Sequence, residues 1–496
     1  MKYLIRIFVL LLCFTSVSQE KNIFHDRSFW KDNPSLDMVK EKIADGNDPI
    51  AFNNNGFDAT TNAILAKTDD RVIKYLLSLD GNSVDKRTHD SRIYLHWAAL
   101  SGKTEIMKTL LKQGSSLTTT DSRGNAPMLY AAASGQRDTS VYDIFIENGL
   151  NLAEEENQDG ANVLLLVSPF LEDEKELDYF TSKGIDLKST DKNGNGIFNY
   201  TSRKGNVHLL KQLVARDVDY QNLNKEGGNA FMFAAQGTRG FSNSFPIYEY
   251  LKNVGLEPNI VTKDGSTPLH LIAYSNTDSA LYNLFLKAGA NVDQKDADGN
   301  TPFLNAASRN NLKIVSLLSK DVKNIDAKNN NGQTALMLAF GNNSPDVVEL
   351  LLKKDSDISL KDANGNSIAY YLAQSFNAEK PEAFETKLKI LQKNGVKLNT
   401  VQAEGNTLYH LAAKENDLEL MKRLAAFDIP VNATNDEGMT ALHQAAMKAK
   451  DGEMIKYLLG LGADKNAKTE FEETAYDLAS ENELLQKNNT ELKFLE

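Results

Sequence analysis

Residues 264–273 read Asp-Gly-Ser-Thr-Pro-Leu-His-Leu-Ile-Ala, and the order of those ten side chains decides how the chain folds. Gly265 supplies a residue that tolerates positive φ in a tight turn. Thr267 offers a side-chain oxygen to a free backbone N–H at a helix start. Pro268 follows at the first helical position, where a missing N–H costs nothing. The small Ala273 leaves room for a neighbouring helix to approach. The same order returns as DGNTPFLNAA at 298–307 and as EGMTALHQAA at 437–446.

Outward from this stretch the glycine recurs at Gly124, Gly160, Gly194, Gly227, Gly265, Gly299, Gly332, Gly365, Gly405 and Gly438, at intervals of 33 to 40 residues. The series extends back to Ser91 and Gly56 and forward to Glu472, with glycine replaced at Ser91 and Glu472. Later in each unit come paired aliphatics, such as Ile106-Met107 with Leu110-Leu111 and Met454-Ile455 with Leu458-Leu459. These place an apolar stripe along one face of a second helix. Gly289 and Gly462 then stand where a chain leaving a helix turns left-handed. A fixed period of this length marks a repeat architecture rather than a single compact core.

The segments at 264–273, 298–307 and 437–446 resemble the signature of the ankyrin-repeat family. The resemblance implies an all-α fold, an ankyrin-repeat solenoid of about twelve helix–turn–helix units with short hairpin loops and terminal caps. The expected organisation is a signal peptide at 1–18, an N-terminal extension and capping half-repeat at 19–54, the array at 55–469, and a C-terminal capping helix with a polar tail at 470–496. A helical pattern opened by Pro34 runs from Ser35 to Ala44 within the extension. Units at 160–222 depart most from the pattern. Val163-Leu164-Leu165 replaces the Pro-Leu-His segment, and Asn199 to Ser202 put polar groups where alanines usually pack. Stability in a repeat array is close to a sum of local terms, so this stretch is expected to be the softest interior part.

At 41% hydrophobic and 25% charged, the 496-residue chain has a globular composition, which argues against disorder. Lys2 and Arg6 precede an apolar run from Ile7 to Phe14 and the small residues Ser16-Val17-Ser18, the pattern of a secretory signal. Export to the periplasm or outside the cell is therefore expected, and a compact signal joined to this repeat fits a bacterial protein. A signal retained as an anchor is the alternative. No later segment is long and apolar enough to predict a stable membrane span after signal removal. Cys13 is the sole cysteine, so the mature chain would have no thiol chemistry. The net charge is −12, and losing Lys2 and Arg6 makes it −12 − 2 = −14. With no Lys/Arg cluster to offset this acidity, the sequence predicts no nucleic-acid partner.

Catalytic and metal motifs are missing from the sequence. His96, His270, His410 and His443 all stand five residues after the repeat's glycine position, where the resemblance implies hydrogen bonds between units. No pair is spaced as HExxH, and no nucleophile elbow, phosphate loop or dinucleotide fingerprint occurs. Asp191 to Gly196 matches the first half of an EF-hand loop, but its twelfth position is Ser202 instead of a bidentate Glu. The expectation is a protein that is not an enzyme and has no cofactor and no metal.

The expected partner-binding residues lie on the concave surface of the array. Lys263, Asp264, Ser266, Asp298, Asn300, Asn331 and Gln333 sit at hairpin tips beside the repeat glycine, and Tyr274, Arg309 and Phe340 follow on the first helices. Aromatic and arginine side chains in one line are the residue types that dominate protein interfaces. Two insertions between helices, at 237–246 and 375–386, form a second candidate rim. The function expected is a non-catalytic scaffold for a protein partner of unknown identity. The alternatives are an accessory subunit docking on a periplasmic stress-defence enzyme and a receptor for a glycan or small ligand.

Overall fold

A computed structural model of the chain describes residues 22–496. The expected signal peptide at 1–18, with Cys13, lies outside the described residues. From Ala59–Leu65 with Asp70–Leu77 to Ala441–Lys448 with Glu453–Gly460, helices follow one another in pairs, twelve in all. Strand pairing among the described residues is confined to isolated bridges, such as Thr434 with Thr440 across a hairpin.

One unit shows why the local sequence folds this way. Gly265 holds φ +81°, and its N–H donates to Thr262 O at 2.8 Å to close the turn. Thr267 then caps the helix Pro268–Ala273: its hydroxyl accepts from His270 N at 3.3 Å, and His270 Nδ1 accepts from Thr267 N at 3.1 Å. This reciprocal cap satisfies donors that a helix start leaves unpaired. The second helix, Ser279–Lys287, buries Leu281, Tyr282, Leu284 and Phe285, and the chain leaves it through Gly289 at φ +91°. Ser91 and Glu472, the two places where the sequence lacks the glycine, hold φ +60° and +64° all the same. The turn is imposed there on residues that disfavour it.

Two polar devices join one helix pair to the next. In the first, His270 Nε2 bonds Gln294 O at 2.9 Å and Asn300 O at 3.2 Å. His96 reaches Asn125 O, His410 reaches Met439 O and His443 reaches Ala467 O in the same way. Because Nδ1 accepts from the capping backbone N–H, Nε2 carries the proton and the ring is neutral. In the second device, an amide side chain caps the last carbonyls of the preceding first helix. Asn310 donates to Ala273 O at 2.8 Å and Asn276 O at 2.9 Å; Asn343 donates to Ala307 O and Asn310 O, both at 2.9 Å. Where the insertion at 375–386 displaces that amide, Lys387 Nζ bonds Phe340 O at 2.7 Å instead.

The described chain divides into two compact units. The first runs to Thr201 and includes His208–Tyr220. At its N-terminal end, helices Arg27–Lys31 and Leu36–Ala44 form a further pair, with Ser35 capping the second. Trp30 is buried there and its indole N–H donates to Phe24 O at 2.9 Å. In this unit Asp58 takes the place of the capping threonine and is fully buried, accepting from Tyr94 Oη at 2.6 Å and Lys86 Nζ at 2.8 Å. Val163–Val167, only five residues long, passes straight into the 3₁₀ turn Ser168–Phe170. The second compact unit takes in Ser202–Val207 and Gln221–Glu496. It ends in the short helices Ala475–Glu481 and Glu483–Lys487, after which Leu495 is buried.

Candidate binding surface

Several successive hairpin tips are joined by single main-chain hydrogen bonds. In the second unit Lys263 N donates to Glu226 O at 2.9 Å, Asn330 N to Asp298 O at 3.0 Å and Ala363 N to Asn331 O at 2.9 Å. Gly332 lies under one of these joints. A Cβ added to it would strike the main chain of Asp362 and Ala363, so glycine is required here by proximity as well as by its φ of +72°. The stitching fixes the spacing of the side chains that the tips display.

Lys263, Asp264, Asp298 and Asn331 are exposed on these tips, whereas Ser266, Asn300 and Gln333 are half-buried. The half-buried amides tie neighbouring tips: Asn329 Nδ2 donates to Asn300 Oδ1 at 2.9 Å and to Gln333 Oε1 at 3.0 Å. Hydrogen bonds from the Thr262 hydroxyl and from Ser266 hold the Asp264 carboxyl below its ordinary range, so it is ionised. Tyr274 is 42% exposed just beyond its helix, and Arg309 is exposed as the last residue of Pro302–Arg309. Burial raises the Tyr274 phenol, Asp296 and Asp298 raise it further, and Arg309 opposes them.

Phe340 corrects the expected line of anchors. It is 0% exposed, packed in the core of Ala335–Asn342 and not on the surface. Counted from the repeat glycine, Tyr274 is at the ninth position, Arg309 at the tenth and Phe340 at the eighth. Each single step turns a helical side chain through about 100°. Phe340 thus occupies the place of the second packing alanine, equivalent to Ala273 and Ala307.

The sixth position after the glycine was overlooked in the sequence although its signal is periodic. Trp97, Tyr130, Tyr200, Phe233 and Tyr371 all fall there. In the first unit Arg92 lies 5.1 Å from the Trp97 ring centroid and 4.2 Å from that of Tyr130, and its charge is met by Asp90 at 3.1 Å and Asp121 at 3.0 Å. In the second unit Phe233 lines a cavity of about 340 Å³ between two successive hairpins, together with Glu226, Gly228, Met232, Asp264 and Leu271.

The insertions behave differently from the expected rim. Phe376 and Phe384 meet edge to face at 5.0 Å and Phe384 is buried, so the aromatics of 375–386 serve packing. Phe241 in 237–246 stays 40% exposed beside a bridge between Thr238 and Phe241. Asp191 in the calcium-like loop is buried, and its oxygens accept from Asn193 N, Asn195 N and Tyr200 Oη. That carboxylate organises its own turn. Among the described residues no cluster of three or more His, Cys, Asp or Glu is placed to hold a metal ion. Nor is any helix among them long and apolar enough to cross a membrane.

Paired helices, stitched hairpins and a display face between them define a helical repeat scaffold. Residues 60–156, 269–362 and 376–469, together more than half of the chain, match the profile described as ankyrin repeats (3 copies). The chain belongs to the ankyrin-repeat family, and its fold is an ankyrin-repeat solenoid. The unmatched interval between 156 and 269 holds the units whose sequences depart furthest from the pattern. Similar proteins include a putative ankyrin repeat protein of Rickettsia felis, 29% identical over 22% of this chain and 49% of its own length. The nuclear factor NF-kappa-B p105 subunit of Mus musculus is 32% identical over 27% of this chain and 14% of its own length. The NAD-dependent deacetylase sir2B of Dictyostelium discoideum is 27% identical over 47% of this chain and 29% of its own length. The chain thus spans about half or less of the relatives it matches. Ankyrin repeats generally mediate protein–protein interaction and are generally non-catalytic.

Proposed function

We propose that this chain is an exported scaffold, acting in the periplasm or outside the cell of a bacterium, that holds a protein partner on the hairpin tips and first helices of residues 263–333. The observation that carries the reading is the exposure of Lys263, Asp264, Asp298 and Asn331 on successive tips, with Tyr274 and Arg309 exposed on the first helices beside them. Tyr buries a large area with only two side-chain torsions, and Arg adds a planar guanidinium that stacks and donates several hydrogen bonds, so both concentrate binding energy. The export part of the proposal rests on the pattern of residues 1–18. The net charge of −12 favours protein over nucleic acid as the partner.

A photo-crosslinking amino acid at Tyr274, compared with one at Lys353 after the second helix Pro345–Leu352, tests the placement. A single partner trapped from Tyr274 and not from Lys353 supports it. Equal trapping from both, or none from Tyr274, removes this face from consideration.

A further inference from the structure

The cavity beside Gly228 lies where the repeat changes its residue. The position after the repeat glycine carries Ser266, Asn300, Gln333, Asn366, Asn406 and Met439 in the units that follow, but Gly228 here. Gly227 holds the turn at φ +83°, whereas Gly228 is not left-handed. The second glycine is therefore not needed for the turn; what it does is leave out a side chain. It lines a space of about 340 Å³, and a side chain here would start against Asn224, another of the lining residues.

The walls of this space are chemically one-sided. Met232, Phe233 and Leu271 give it an apolar floor, neutral polar side chains complete its walls, Glu226 and Asp264 stand at its rim, and no Lys or Arg lines it. Asp264 is held ionised by the hydrogen bonds already described. Arg203 lies 4.9 Å from the Phe233 centroid without lining the cavity, so the ring already serves one guanidinium. A long side chain with apolar methylenes and a cationic end matches this order of surfaces: stem on the floor, charge at the carboxylates.

We infer that the Gly228 cavity seats one arginine or lysine side chain of the protein partner. The inference rests on the scaffold reading and names the chemistry of its partner. Random dodecapeptides displayed on phage and selected against the full chain test it. Three forms serve as bait: wild type, Gly228→Asn, and the double variant Glu226→Gln with Asp264→Asn. Gly228→Asn keeps the net charge and installs the residue that the unit at Asn300 carries, so it narrows the space at that wall without weakening general attraction for basic peptides. Wild type is expected to select Arg or Lys at one fixed position, and those peptides to bind both variants about tenfold more weakly, the worth of one charge-assisted contact. Selected peptides with no fixed cation, or basic peptides that bind Gly228→Asn as well as wild type, would overturn the inference. If such peptides still compete for the Tyr274 and Arg309 face, the scaffold reading survives the loss of the cavity. If no peptide or partner binds that face, the scaffold reading fails first. Should Gly228→Asn misfold, the double variant carries the same test.

Discussion

Acidification should loosen the units that use the histidine tie, and it should do so locally. His96 is fully buried, with Nδ1 accepting from Ile93 N and Nε2 bonded to Asn125 O at 3.1 Å. Burial pushes it down to about 4 from an ordinary 6.5. Burial also lowers His270, His410 and His443. Between about pH 4 and 6.5 the unfolded chain therefore binds a proton at His96 that the folded chain does not, and the other three lowered histidines act in the same direction. The stability contribution is complete above 6.5 and falls as pH drops toward the folded value. For His96 alone, moving from pH 7 to pH 5 costs about 2 kcal/mol. Carboxylates with ordinary values near 4 remain mostly ionised at pH 5, so they blur this window little. Hydrogen exchange by mass spectrometry, corrected for intrinsic rates, reads the effect segment by segment. Units with Leu304, Met337 and Tyr370 at the histidine position serve as internal controls. The expected result is lost protection in Tyr94–Ser101 and Leu408–Lys414 with little change in Pro302–Arg309 and Ala335–Asn342. Equal loss everywhere, or unchanged protection of Tyr94–Ser101 at pH 5, would refute the role given to the histidines.

Lys387 predicts a trend of the same sign in a more alkaline window. Only 3% exposed, it is lowered by burial to about 8, so raising the pH from 7 to 9.5 should stabilise its surroundings by about 2 kcal/mol; urea melts in which Lys387→Met abolishes that gain would bear this out. Thr201 sits at a packing-alanine position with its hydroxyl buried and without a hydrogen-bond partner. Thr201→Val, of nearly the same shape, should add about 1 kcal/mol to the first unit and slow exchange across Ile197–Ser202. Gly332→Ala should cost more than about 2 kcal/mol because it combines a left-handed φ with collision against Asp362 and Ala363. Gly289→Ala, with open space around it, should cost only about 1 kcal/mol, and thermal melts of the two variants separate the contributions.

The fold was legible because each unit repeats its own instructions. Gly265, Thr267, Pro268 and His270 state a turn, a cap and an inter-unit tie within six residues, and the period multiplies the signal. The display face was less legible, since side-chain direction on a helix depends on single-residue register. Tyr274 and Arg309 do reach the surface, but Phe340, one position earlier than Tyr274 in its unit, points into the core. Packing also claimed Phe376 and Phe384, whose place in an insertion had marked them as rim residues. The Gly227-Gly228 doublet stands in the sequence, but the cavity it lines needs Asp264 and Leu271 of the next unit, which only the fold brings alongside.

The central claim is that the face around Tyr274 and Arg309 holds the partner. Its most direct test is the affinity of the partner captured by the Tyr274 crosslinker for Tyr274→Ala with Arg309→Ala, Phe340 being left intact because it belongs to the core. The account predicts at least about tenfold weaker binding for the double variant, with its melting curve close to that of wild type. Undiminished affinity in a folded double variant would contradict it.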